Sequence, residues 1–310
     1  MIARIFKVAI VAVLLSLSSG CIEGVAIVTL NPDGRGKLEV DLYVQGDELF
    51  GGDIGGKKDK EPTLAEKKTS ALIRTLTGSP GVAAWKDVKA EWAADGRFHF
   101  VGTAYFDRIE NLKDKLLVGE YRFSRDNDGV ISFVGTRKES GEKKTFPNLA
   151  DLNEKQLSDF ILSERIKYQS AKPIIIAMLT DLKFKTTFRL PGDAVDIKGF
   201  KKTSERVVVQ DTDGNALLGE YKKIMAQDDA AFKKLYREAK SLDLDETLAA
   251  KFDMKPALTI RKAGDDQFDY AKEVKAAIEA YPNLRKQNGL ADTVPLPGDG
   301  KAVPPKFPGR

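Results

Sequence analysis

The chain contains a single cysteine, Cys21, and a single histidine, His99, in 310 residues. One cysteine excludes an internal disulfide, and one histidine excludes a multi-histidine metal centre. A Ser–His–Asp triad would have to pass through His99, and no GxSxG elbow marks a nucleophile for it. The phosphate-cradling loop and the GxGxxG dinucleotide fingerprint are missing too, so no cofactor is expected. Lys plus Arg number 50 against 46 Asp plus Glu, interspersed along the chain. Basic stretches interleaved with aromatics do not occur, and no nucleic-acid partner is expected. With 42% hydrophobic and 31% charged residues, the bulk of the chain has the composition of a globular protein.

What is present begins at the amino terminus. Arg4 and Lys7 precede an apolar run from Val8 to Leu17, followed by Ser18, Ser19, Gly20 and Cys21. A permanent membrane span needs about 20 apolar residues, so this run reads as a cleaved export segment covering residues 1–20. Leu17 to Cys21 resembles the lipobox of bacterial lipoproteins, with Leu17 one place further from the cysteine than the family prefers. The resemblance implies that Cys21 becomes the new amino terminus and carries acyl chains, which anchor stably when there are two or more. Ile22, rather than Asp, after the cysteine implies the outer membrane. The membrane, through this anchor, is the first partner expected.

Residues 21–285 read as one globular unit, with a sub-boundary, if there is one, near residues 138–148. Val25, Ile27 and Thr29 alternate as one strand, and Leu38, Val40, Leu42 and Val44 as the next. NPDGRG between them supplies the residues a turn requires, so a hairpin is expected. After a Gly- and Lys-rich loop, residues 45–62, Thr63 and Glu66 have capping-box spacing and residues 63–77 read as a helix. Four strands follow, from Trp85, Arg97, Tyr121 and Ile131, turning at Asp95–Gly96 and at RDNDG. They are expected to form one antiparallel meander with an aromatic face of Phe98, Phe100, Phe106, Tyr121 and Phe123.

Helical stripes run through Leu157, Phe160, Ile161 and Tyr168, through Phe232, Leu235 and Tyr236, and from Phe268 to Tyr281. KPIIIAML, residues 172–179, fits a buried helix or a strand. Leu182, Phe184, Thr186, Phe188 and Leu190 alternate with Lys183, Lys185, Thr187 and Arg189 as a strand. Its partner passes Val207 and Val209 to a turn at DTDGN. Pro295, Pro297, Pro304, Pro305 and Pro308 mark residues 286–310 as a disordered tail. The expected class is α+β, an antiparallel sheet of roughly six to eight strands with helices on one face.

The cysteine followed by a strand, NPDGRG and a second strand, together with the later RLPGD strand, resembles the bacterial LppM-type lipoprotein domain. The resemblance covers the hairpin and residues 181–218. It implies a curved sheet wrapped on helices around an apolar cavity, and it brings no catalytic residue.

Lys183, Lys185 and Arg189, with Lys198, Lys201, Lys202 and Arg206 close behind, are the candidates for contact with anionic headgroups. Asp126, Asp128, Asp211 and Asp213 alternate before glycines but lack the distant bidentate Glu of a calcium loop, so turn chemistry accounts for them and no metal is expected. The expected function is that of a non-enzymatic envelope lipoprotein that binds a lipid or other apolar ligand behind its aromatic face. The alternative is a protein-interaction subunit of an envelope assembly. An enzyme would depend on His99, which otherwise reads as a polar-face strand residue.

Overall fold

The computed structural model describes residues 22–44, 63–112, 120–136, 152–180, 182–239 and 256–297. The class is α+β, as expected, but the strands divide into two sheets. The first has seven strands, here numbered in chain order: β1 (Ile22–Leu30), β2 (Gly36–Val44), β3 (Val82–Trp92), β4 (Phe98–Phe106), β7 (Lys183–Arg189), β9 (Lys201–Ser204) and β10 (Val207–Asp213). They lie in the order β3-β4-β2-β1-β7-β10-β9. The second has four, β5 (Glu120–Arg125), β6 (Ile131–Thr136), β8 (Asp193–Lys198) and β11 (Ala257–Arg261), in the order β5-β6-β11-β8.

Two expectations are corrected by this layout. The expected four-strand meander is split, because β3–β4 belongs to the seven-stranded sheet and β5–β6 pairs onward to β11. Alternation marks the face of a strand but not its neighbour, so both hairpins look alike in sequence. The large sheet is also mixed rather than antiparallel, since β1 and β7 run parallel from Glu23↔Lys183 to Thr29↔Arg189. The β1–β2 hairpin and the antiparallel pair β7–β10 meet through their first strands.

Local chemistry explains the elements themselves. The β1–β2 turn closes at Gly34 with φ 88°, a left-handed conformation that glycine adopts without steric cost. Helix α1 (Leu64–Gly78) starts in the expected capping box: the Glu66 amide donates to Thr63 Oγ1 and the Thr63 amide donates to Glu66 Oε2. KPIIIAML is resolved as the last turns of helix α2 (Glu154–Leu179), which buries Leu157, Ile161, Tyr168, Ala171, Ile175 and Leu179 at helical spacing. Pro173 lies inside it on the exposed side.

DTDGN is not a hairpin turn. Asp213 instead caps helix α3 (Gly214–Met225) by accepting from the amides of Asn215 and Ala216. Gly214 is required there by close approach, since a Cβ would lie 1.9 Å from the Leu179 carbonyl oxygen. Helix α4 (Asp229–Ala239) packs on α2 through Phe160–Tyr236. Helix α5 (Tyr270–Gln287) extends past Tyr281 through Pro282. Residues 286–297, expected as the start of a disordered tail, bury Leu290 and Val294, and the Tyr281 hydroxyl donates to the Pro295 carbonyl. Residues 298–310 and the proposed boundary at 138–148 lie outside the described residues.

The inner face of the seven-stranded sheet carries the core. Val28, Leu38, Phe98, Ala104, Phe106 and Phe188 are fully buried, in one continuous cluster with residues of the second sheet and of α1 to α5. The two sheets meet through rings: Phe188 lies 5.0 Å from Tyr121, 5.1 Å from Phe133 and 5.6 Å from Phe200, centroid to centroid. Helices are not confined to one face. Helix α5 packs Tyr270 and Ala277 against Ala84 and Tyr105 on the outer face, then crosses the β3 edge to bury Tyr281 and Leu284 in the main core.

Candidate functional site

Strand register divides the large sheet into two ends. Ile22, Val44, Phe98 and Trp92 form one row across β1, β2, β4 and β3. Beyond this row, on the side where β1 begins, stands the β3–β4 turn of Ala93, Ala94, Asp95 and Gly96. The first turn of α1 is fastened beside it, as Trp92 Nε1 donates to the Leu64 carbonyl at 3.0 Å. Asn215 Nδ2 donates to Thr180 O, and the Gly214 amide to Leu182 O, so the junctions α2–β7 and β10–α3 lie at this end too. Leu64 is 62% exposed here, with Ala65 and Ala94 also exposed and Trp92 half-buried.

The outer face near this end holds a charged and aromatic stack. His99 lies on the outward side of β4, as its polar-face assignment requires, with its ring 4.2 Å from that of Tyr43 and nearly parallel to it. Its Nε2 donates to Asp41 Oδ1 at 2.8 Å and its Nδ1 lies 3.5 Å from Glu91 Oε1. Arg97 covers the other side of Tyr43 at 4.9 Å and pairs with Glu23 and Asp95 at 2.7 Å each. Two hydrogen bonds from Arg97, backbone first and then side chain, hold the Asp95 carboxyl below its ordinary range. A His–Asp pair alone is half of a hydrolytic relay, and among the described residues the partners of this one are the Tyr43 ring and the Asp41 and Glu91 carboxylates.

The sequence-selected cations do not gather into one patch. Lys183 stands nearest the Ile22 end, between Glu23 on β1 and Asp213 on β10, and Lys185 stands opposite Asp211. Arg189 is six residues further along β7, about 20 Å at strand rise, and its Nη1 lies 3.9 Å from Glu39. Lys201 and Lys202 are on the edge strand β9, where alternation points them to opposite sides, and Lys202 Nζ donates to Ala194 O. Lys198 belongs to the other sheet, and Arg206 pairs with Asp193 at 3.6 Å. Opposed carboxylates cancel much of the field such cations would project.

Of the four aspartates weighed for calcium, Asp126 and Asp213 have structural work. Asp126 Oδ1 accepts from the amides of Asp128 and Val130, closing the turn at Gly129, and Asp213 caps α3. Among the described residues, no group of three or more His, Cys, Asp or Glu side chains is placed to hold a metal. Cys21 lies outside the described residues.

The opposite end, around the β1–β2 turn, is closed by contacts the sequence did not announce. Asn31, fully buried, donates through Nδ2 to Phe268 O and accepts from the Gln267 amide. Gln267 Nε2 donates to Leu30 O and Arg189 O, binding both central strands. Lys37 and Tyr105 both donate to Glu273 on α5, and the Tyr270 hydroxyl donates to Asp107. Burial, reinforced by these carboxylates, pushes the Tyr105 and Tyr270 hydroxyls well above their ordinary range.

No protein-family model matches the chain, and no curated protein matches it. Among solved structures it is weakly similar to the NMR structure of the folded domain of LppM from Mycobacterium tuberculosis. The TM-score is 0.30 at 12% identity, over 63% of this chain and 84% of that one. No described helix is long and apolar enough to cross a membrane.

Proposed function

We propose that the chain is a non-enzymatic lipoprotein of the bacterial envelope, held at the outer membrane by acyl chains on Cys21, that acts by contact with another envelope component. The observation that carries the anchored reading is the run from Arg4 to Cys21, with a basic start, a short apolar stretch, small residues and the chain's only cysteine. Strand β1 begins at the next residue, so the folded body would sit directly on its anchor.

The choice between a contact module and a ligand carrier turns on the aromatic face. The residues that would line a cavity are packed against protein. Phe100 meets Trp85 edge-on at 5.6 Å, Phe98 meets Trp92 at 5.4 Å, and Tyr121 stacks on Phe133 at 5.3 Å. Phe106 and Phe123 are 0% and 5% exposed, and a Cβ at Gly36 would lie 2.5 Å from the Phe106 ring. Such packing supports a filled core and therefore the protein-interaction reading.

Native mass spectrometry of the chain recovered from an envelope fraction, followed by organic extraction, separates the two. Beyond the covalent acyl chains, the contact module carries no stoichiometric lipid and retains a protein partner after gentle cross-linking. A second, non-covalent lipid at one per chain would replace this reading with a carrier.

A further inference from the structure

We propose that the Ile22 end of the seven-stranded sheet is a bilayer-contact surface, with Leu64 entering the acyl region and Trp92 at headgroup level. The proposal rests on the anchored reading of Cys21 and adds which part of the protein meets the membrane.

The first argument is reach. One residue spans about 3.5 Å, and Ile22 is already committed to the sheet, 3% exposed and paired with Val44. An acylated Cys21 leaves no slack for the body to stand away from the headgroups. Whatever flanks the start of β1 is pressed against them.

The second argument is what flanks it. Leu64 is a large apolar side chain, 62% exposed, in the first turn of α1, two turns before Ala71 and Leu72, where it carries their helix face out beyond the buried contacts. Trp92, joined to it by the indole hydrogen bond, is the residue type that settles at membrane interfaces. Ala65 and Ala94 complete an apolar rim. By contrast, the exposed Leu162 and Ile166 of α2 are removed from this end along the helix: Ile166 precedes Leu179 by 13 residues, about 20 Å.

The third argument is charge. Arg97 and Lys183 are met by three carboxylates, Glu23, Asp95 and Asp213, so no excess of positive charge stands here. The surface should therefore contact zwitterionic lipid as well as anionic lipid, with little response to salt.

The test uses the full acylated chain in phosphatidylcholine vesicles whose acyl chains carry bromine near the headgroup. The chain has two tryptophans, and Trp85 is 1% exposed, so Trp92→Phe gives the background. Trp92 should lose about half of its emission to the brominated lipid, as an interfacial ring does, and high salt should not restore it. Leu64→Glu, which favours the start of the helix electrostatically, should at least halve that loss. Emission unchanged by bromine, in a sample whose Cys21 acylation is verified by mass, overturns the surface while leaving the anchor standing. Equal quenching in Leu64→Glu assigns the contact to another segment, such as residues 45–62, and also overturns it. A chain recovered from the membranes of its bacterial host with Cys21 unacylated removes the anchored reading and the surface together.

Discussion

The two ends of the seven-stranded sheet are built by different means. At the Asn31 end, a segment more than 230 residues away in sequence is locked to the β1–β2 turn by buried hydrogen bonds. The second sheet covers the core there, with Phe123 against Gly34 and Tyr121 and Phe133 against Phe188. At the Ile22 end, helices α1 to α3 adjoin the strands instead, and apolar side chains are left in the open. Polar groups that are buried must be paired, so the Asn31 end is specified by a small set of long-range bonds. At the Ile22 end the corresponding bonds, Trp92 to the Leu64 carbonyl and Asn215 to that of Thr180, are exposed and span 28 and 35 residues.

The comparison breaks first where the core is densest. Phe188→Ala removes a ring touching Tyr121, Phe133 and Phe200, and should cost about 3–5 kcal/mol, read as the shift in urea midpoint by ring fluorescence and circular dichroism together. Midpoints that separate between the two probes would mean that the sheets unfold independently. Asn31→Ala should cost about 2–3 kcal/mol, because the Gln267 amide and the Phe268 carbonyl lose a buried partner. Asn31→Asp keeps the acceptor but sets a buried carboxylate oxygen against the Phe268 carbonyl, so its midpoint should fall at or below that of Asn31→Ala at neutral pH.

Alkaline titration probes the buried tyrosines, of which Tyr105 and Tyr270 stand at the Asn31 end. Burial, opposed only by nearby Arg285, pushes the Tyr281 hydroxyl up to about 12, and burial raises Tyr105, Tyr121 and Tyr270 further. The unfolded chain releases these protons near pH 10. Their contribution to stability is therefore complete below about pH 10 and is lost as pH rises through about 12. Urea midpoints across that window should fall, and tyrosinate absorbance should lag behind that of the unfolded chain. Midpoints that stay level would contradict the buried, hydrogen-bonded placement of the tyrosines.

Smaller effects sharpen the contrast. Tyr105→Phe deletes one hydrogen bond to Glu273, which Lys37 continues to hold, and should cost about 1 kcal/mol, measured by thermal or urea unfolding. Leu64→Glu, at the opposite end, should leave stability within about 0.5 kcal/mol while weakening bilayer contact.

The sequence was most legible where the chemistry is local. The Thr63–Glu66 capping box, the Gly34 and Gly96 turns and the alternation from Leu182 to Leu190 each involve residues a few positions apart, and each stands in the structure as read. The aromatic residues of the expected face are buried as foreseen, but their division between two sheets depends on pairings that alternation does not encode. Asn31 looked like an ordinary turn residue, because its partners Gln267 and Phe268 are fixed only by tertiary packing. Residues 286–297 looked like a tail, since two buried side chains among polar residues leave no period. At the candidate site, Cys21 is readable from sequence alone, whereas the pairing of Trp92 with Leu64 emerges only once β3 and α1 are placed side by side.

The account stands on Cys21. The most direct measurement is the mass of the amino-terminal peptide of the chain recovered from membranes of a bacterial host. The account predicts a peptide that begins at Cys21 and carries acyl mass, and a Cys21→Ala chain that is no longer membrane-bound. A peptide that begins at Met1, or an unmodified thiol at Cys21 on a protein that still fractionates with membranes, would contradict it.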